Sequence, residues 1–130
     1  MEKKIYTGTQ INDSATLVFP AAVDIEDVRC KAVVLTADGV KPAADGSAPF
    51  LGIAIITNDF PIKAGQDVHV QVKDGGQMEA GVAVKAGNAI TADANGYAKP
   101  AAEGDFVLGM ATQNGEPGDR FYIQINKYKG

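Results

Sequence analysis

The chain has 130 residues and a formal net charge of −4, from 12 Lys and Arg against 16 Asp and Glu. A domain of that length buries roughly 65–70% of the surface its unfolded chain exposes, so its core needs neither a disulfide nor a metal to hold it. Its lysines are scattered and it has no Trp, so it lacks the basic stripe that phosphate binding demands; no nucleic acid is expected as a partner.

Residues 1–15 are polar with isolated Ile5, Tyr6 and Ile11, and read as an extended N-terminal arm. The two lysines of MEKKIYTGTQ precede no apolar run, so no signal peptide is expected. No window approaches the ~20 apolar residues of a membrane span, so no membrane is expected either. Leu17-Val18-Phe19 is a short apolar run stopped by Pro20, and AAVDIEDVR has too few apolar positions for a long helix. Lys31–Thr36 (KAVVLT) predicts a strand that ends in the turn Ala37-Asp38-Gly39. Phe50–Ile56 predicts a strand buried on both faces, with Gly52 marking a bulge or a close backbone approach. Asp67–Lys73 alternates, with Val68, Val70 and Val72 on one face and His69, Gln71 and Lys73 on the other. Asp74-Gly75-Gly76 predicts a turn, Met78–Val84 a weak strand, and Lys85-Ala86-Gly87 another turn.

The pattern then recurs. Thr36-Ala37-Asp38 returns as Thr91-Ala92-Asp93, Lys41-Pro42-Ala43-Ala44 as Lys99-Pro100-Ala101-Ala102, and Leu51-Gly52-Ile53-Ala54 as Leu108-Gly109-Met110-Ala111. Phe121, Ile123 and Ile125 take the places of Val68, Val70 and Val72, while Tyr122 and Gln124 stand where His69 and Gln71 stood. Solenoids usually need three or more repeats. Two copies suit an all-β barrel or sandwich instead, built from a duplicated β unit. The organisation expected is an arm over 1–15 and a single β domain over 16–130, duplicated at about 31–73 and 86–126.

No catalytic constellation emerges. His69 lies on the polar face of a strand with no nucleophile or carboxylate in motif spacing, and its counterpart in the second copy is a Tyr. Cys30 is the single cysteine, so no intrachain disulfide forms, and one Cys with one His leaves zinc without a ligand set. Asp24, Glu26 and Asp27 lack the ordered spacing of a calcium loop. Asp38 and Asp93 read as turn residues, and neither a P-loop nor a strand-to-helix G-x-G-x-x-G occurs. Neither catalysis, nor a cofactor, nor a metal site is expected.

The segment GVAVKAGNAITADANGYAKPAAEGDFVLGMATQNGEPGDRFYIQI resembles the phage capsid cement, or head decoration, proteins. Their A-G-x-x-(I/L)-T-x-D-x-x-G turn unit, G-(I/M)-A strand and closing G-D-x-(V/F)-x-(V/I) strand are matched here by Ala86–Gly96, Gly109–Ala111 and Gly118–Ile123. The first copy follows the same order as Thr36–Gly39, Gly52–Ala54 and Gly65–Val70, so the resemblance covers about residues 30–126. It implies a compact β fold of the tulip or barrel kind. It also implies a structural virion protein, made in the bacterial host cytoplasm, that binds the outer surface of the mature phage head and stabilises the shell. Its expected partners are the major capsid protein and further copies of itself, as a homotrimer or sometimes a dimer.

On that footing Ile5, Tyr6 and Ile11 in the arm are the expected capsid contacts, because an apolar side chain in a tail has no core of its own to enter. Phe60, beside Pro61 in a loop, joins them, and His69 and Tyr122 are expected at an oligomer interface. The competing reading is a small barrel-sandwich carrier or ligand-binding domain, suggested by the V-K-A-G-N-A-I turn. Lys73 and Lys85, however, lack the Met-Lys or Asp-Lys context of a modified lysine.

Overall fold

The computed structural model describes residues 15–130. Among them there is no helix; short apolar runs cut by Gly, Asp, Asn and Pro give ten strands. The strands are β1 (Thr16–Pro20), β2 (Ala32–Thr36), β3 (Gly39–Pro42), β4 (Gly52–Ala54), β5 (Asp67–Gln71), β6 (Gly75–Glu79), β7 (Ala89–Ala92), β8 (Ala98–Pro100), β9 (Phe106–Ala111) and β10 (Arg120–Lys129). They form two antiparallel five-stranded sheets packed as a sandwich, in the orders β1-β5-β4-β2-β3 and β6-β10-β9-β7-β8. The second order is the first with every strand advanced by five, so each sheet is one copy of the repeat. The duplication reaches a strand further back than the sequence pattern shows, because β1 and β6 are themselves counterparts.

Register makes the equivalence residue by residue. Ile53 pairs with Gln71 and Ala32, as Met110 pairs with Gln124 and Ala89. Val33 faces Gly52 as Ile90 faces Gly109, so Val34, Leu35 and Thr36 correspond to Thr91, Ala92 and Asp93. The Thr-Ala-Asp match seen in sequence is therefore two residues out of step. What recurs is a turn-closing oxygen at one position: Thr36 Oγ1 takes the Asp38 N–H, and Asp93 Oδ1 takes the N–H groups of Asn95 and Tyr97.

Four turns share one construction: Lys63–Gln66, Lys85–Asn88, Ala102–Asp105 and Glu116–Asp119. The third residue of each is a glycine with φ between +88° and +93°, as a type II turn requires. The fourth residue returns its N–H to the first carbonyl at 2.9–3.1 Å. Its side-chain oxygen accepts the first residue's N–H at 2.7–3.0 Å. Gly52 is in place for a different reason. The Gln71 carbonyl oxygen passes where its Cβ would stand, and the Gln124 carbonyl does the same at Gly109. Gly75 and Gly76, expected in a turn, instead open β6, with Ile53 Cδ1 lying 2.9 Å from the position of a Gly76 Cβ.

The apolar side chains form two clusters. One lies wholly in the first half, where Val33, Val40, Ala54, Val68 and Val70 meet Ile25, Val28 and Ile62 from the connecting loops. The other joins the halves: Ala32, Ala43, Phe50 and Ile53 pack with Met78, Ile90, Leu108, Phe121 and Ile123. Gly46, from the β3–β4 loop, reaches across to Thr91 and Asp105, and its carbonyl accepts the Phe106 N–H at 2.8 Å. The buried Thr91 hydroxyl there has no hydrogen-bond partner.

Candidate functional site

With the cores filled by side chains, what remains for function is the surface. Ile5, Tyr6 and Ile11 lie outside the described residues. Phe60 stands in the β4–β5 loop, 54% exposed, with a cis bond to Pro61. The Arg29 guanidinium lies over its ring, 3.7 Å from the centroid. Asp27 holds that guanidinium in a two-pronged grip, receiving Nε and Nη2 at 2.9 Å each. A third bond, from the Arg29 backbone N–H to Asp27 Oδ1 at 3.1 Å, closes the turn beneath. Hydrogen bonding from Arg29 holds the Asp27 carboxyl below its ordinary range, and the same contact raises the Arg29 guanidinium. An exposed aromatic ring is thus fixed against a charge-assisted fork, with little side-chain freedom left to lose on binding.

His69 projects from β5 into an open polar cleft of about 460 Å³ that it shares with Asp59, Asp67 and Gln66. Its backbone is clamped by the buried Asn58. Asn58 Oδ1 accepts the His69 N–H at 2.8 Å, and Asn58 Nδ2 donates to the His69 carbonyl at 2.8 Å and the Ile55 carbonyl at 3.0 Å. Tyr122, its counterpart in β10, is half exposed and lines a separate cleft of about 250 Å³ between the two halves, against Ile55, Ile56 and Gln71. The two residues share a position in the repeat but not a cleft.

The sequence reading missed a further surface. Leu35, at the end of the strand read from KAVVLT, is exposed and lines a cleft of about 410 Å³ with Val34, Pro49, Leu51 and Lys41. An adjoining cleft shares Pro49 and Phe50 with it and adds Phe106, Lys127, Tyr128 and Lys129. The strand in KAVVLT was legible, but the early end of the neighbouring strand was not: β4 pairs with β2 only at Ala32 and Val33.

Chemically reactive groups are few. The Cys30 thiol is buried and burial pushes its pKa up, away from thiolate chemistry. Its backbone lies in the left-handed region at φ +60°, as does that of its counterpart Gly87 at +93°. Burial likewise raises the Tyr97 phenol. Among the described residues no group of three or more His, Cys, Asp or Glu is arranged to hold a metal ion. Among the described residues no helix is long and apolar enough to cross a membrane.

Comparison with solved structures finds the same fold in the N base of the head fiber gp8.5 of bacteriophage phi29. That structure aligns at a TM-score of 0.63 and 19% identity, covering 88% of this chain and 96% of that one. No curated protein matches the chain. A family model described as phage cement protein matches residues 10–125, nearly the whole of the duplicated β framework. The chain belongs to the phage cement protein family, and is a structural protein of a phage virion.

Proposed function

We propose that this protein decorates the outside of the mature phage head, binding the major capsid protein and cementing the shell as a homotrimer. Family membership across residues 10–125 is the observation that carries the reading. The mechanism is linkage: a protein that binds the expanded lattice and not its precursor lowers the free energy of the expanded state by its binding energy. Several modest contacts per oligomer suffice, because each raises the effective concentration of the next. Phe60, held over Arg29, serves as one anchor. The arm residues Ile5, Tyr6 and Ile11 serve as others, adding apolar contact and main-chain pairing at an exposed edge. His69 and Tyr122 face neighbouring subunits.

Co-sedimentation with expanded and unexpanded heads of the phage tests this. Saturable binding to expanded heads only is expected. Deletion of residues 1–11 and Phe60→Ala should each weaken it, the latter by about tenfold, the size of one anchor side chain. Absence of binding to either kind of head rejects the decoration reading. Binding that both variants leave intact retains the reading and rejects these contact residues.

A further inference from the structure

Strand β2 has an open edge at Leu35. The Ala32 carbonyl accepts the Ala43 N–H at 2.9 Å on the β3 side, whereas the Val33 carbonyl accepts the Leu51 N–H at 2.9 Å on the β4 side. Backbone groups of an antiparallel strand alternate in this way, so the N–H and carbonyl of Leu35 point to the β4 side, as those of Val33 do. Leu35 stands opposite Val40, whose own carbonyl is turned outward to the Ala22 N–H at 2.8 Å, so the two do not bond to each other. On the β4 side the neighbour has ended. β4 pairs with β2 only at Ala32 and Val33, and the chain before it turns away to bury Phe50 against the second half. Among the described residues the Leu35 backbone is therefore left without a strand to bond. The cleft of about 410 Å³ lies along this edge. Leu35 is 55% exposed there, whereas its counterpart Ala92 is fully buried.

We infer that an extended, acidic segment of a head subunit fills this cleft, adding itself to β2 as a further strand. The inference rests on the decoration reading above. The Leu35 N–H donates to one carbonyl of the segment and the Leu35 carbonyl accepts one of its N–H groups, which is how a sheet edge takes up a peptide. Alternate side chains of the segment then meet the apolar lining at Leu35 and Leu51. Charge selects the segment. Lys41 lines the cleft, Lys127 and Lys129 line the one that adjoins it across Pro49 and Phe50, and no Asp or Glu lines either. All three lysines are exposed. The cleft beside His69 is the opposite case, lined by Asp59 and Asp67 and by no lysine. Lys127 Nζ donates to the Leu51 carbonyl at 2.9 Å, which holds its ammonium at the groove with further N–H groups to give. Carboxylates on the segment would balance this positive rim, steering its approach and disfavouring basic competitors. The arm of this chain is a poorer occupant, because its stretch Ile5–Ile11 carries no carboxylate.

The test separates the groove from the head. A capped pentapeptide of alternating Val and Glu is titrated into the isotope-labelled full chain, with the pentapeptide of Val and Lys as control. The acidic peptide should shift the Leu35 and Lys41 amide resonances saturably, and the basic one should not. Lys129→Glu should weaken that binding about tenfold, whereas Lys85→Glu, the same change of charge in the β6–β7 loop, should leave it unchanged. No shift at Leu35, equal shifts by both peptides, or equal losses in both variants each overturns the inference. Leu35→Pro removes the N–H donor and should abolish peptide binding, while Leu35→Ala keeps the donor and should only weaken it. Should Leu35→Pro not fold, as circular dichroism shows, Lys129→Glu decides. Expanded heads identify the source of the segment. On heads the Leu35 N–H should exchange with solvent at least about tenfold more slowly than in the free chain, as a bonded amide does. Unchanged exchange in head-bound protein overturns the assignment to the head and leaves decoration standing. Failure of the wild type to bind heads rejects decoration itself, and the assignment to the head with it, whatever the peptides do.

Discussion

Gly52 and Gly65 show how differently two glycines in one sheet unit can be constrained. A methyl group at Gly52 would meet the Gln71 carbonyl oxygen of the adjacent strand, whereas at Gly65 it would meet nothing within 4 Å and only the φ of +88° opposes it. Gly52→Ala should therefore cost about 3 kcal/mol or more, because a strand backbone has to move. Gly65→Ala should cost about 1 kcal/mol, the left-handed penalty alone. Urea denaturation of both proteins separates the two effects; equal losses would mean that the close approach at Gly52 is relaxed without strain. The grip of Asp27 on Arg29 is also a single-residue device, and it is sensitive to pH. The Asp27 carboxyl is held below its ordinary value of 3.8, chiefly by the Arg29 hydrogen bond. A depressed carboxylate pKa contributes stability that is present above the ordinary value and lost as pH falls through the folded one. The side chain of Asp27 is 41% exposed, so solvent screens the pair and its worth is at most about 1 kcal/mol. Asp27→Asn should be slightly less stable than wild type at neutral pH, and the difference should vanish in acid. A difference that persists in strong acid would assign the effect to the shape of the turn and not to charge.

At the scale of elements, Asn58 is the side chain on which the β4–β5 connection turns. It satisfies three backbone groups from a buried position, and its removal leaves the His69 N–H and two carbonyls to find other partners. Asn58→Ala should cost about 3 kcal/mol and loosen the loop that carries Phe60. Amide exchange at His69 should rise by a larger factor than at Val33; uniform acceleration would show global destabilisation instead. The sequence announced the strands and turns because alternation and Gly-containing turns are local signals. Val68/His69/Val70 and Phe121/Tyr122/Ile123 landed on the faces their spacing implied. What stayed hidden depended on partners distant in the chain. Gly75 and Gly76 look like a turn until Ile53 is seen in the space beside Gly76. That Leu35 lies open follows only from β4 stopping short of it. Phe60 was legible as an exposed aromatic residue beside a proline, but nothing in the spacing of Asp27 and Arg29 indicated that they would hold its ring.

At the scale of the whole molecule, the two halves have the same topology but different surroundings, and the self-association proposed above predicts a stability that depends on concentration. A second copy that binds only the folded chain stabilises it by mass action, by about 2.7 kcal/mol when the free partner stands at a hundred times the dissociation constant. For a chain of this length such a gain raises the melting temperature by about 10 °C. The wild-type melting temperature should therefore climb with protein concentration. A wild-type melting temperature that does not move with concentration would mean that the chain stays single in solution. The asymmetry between the halves would then be a feature met only by the head.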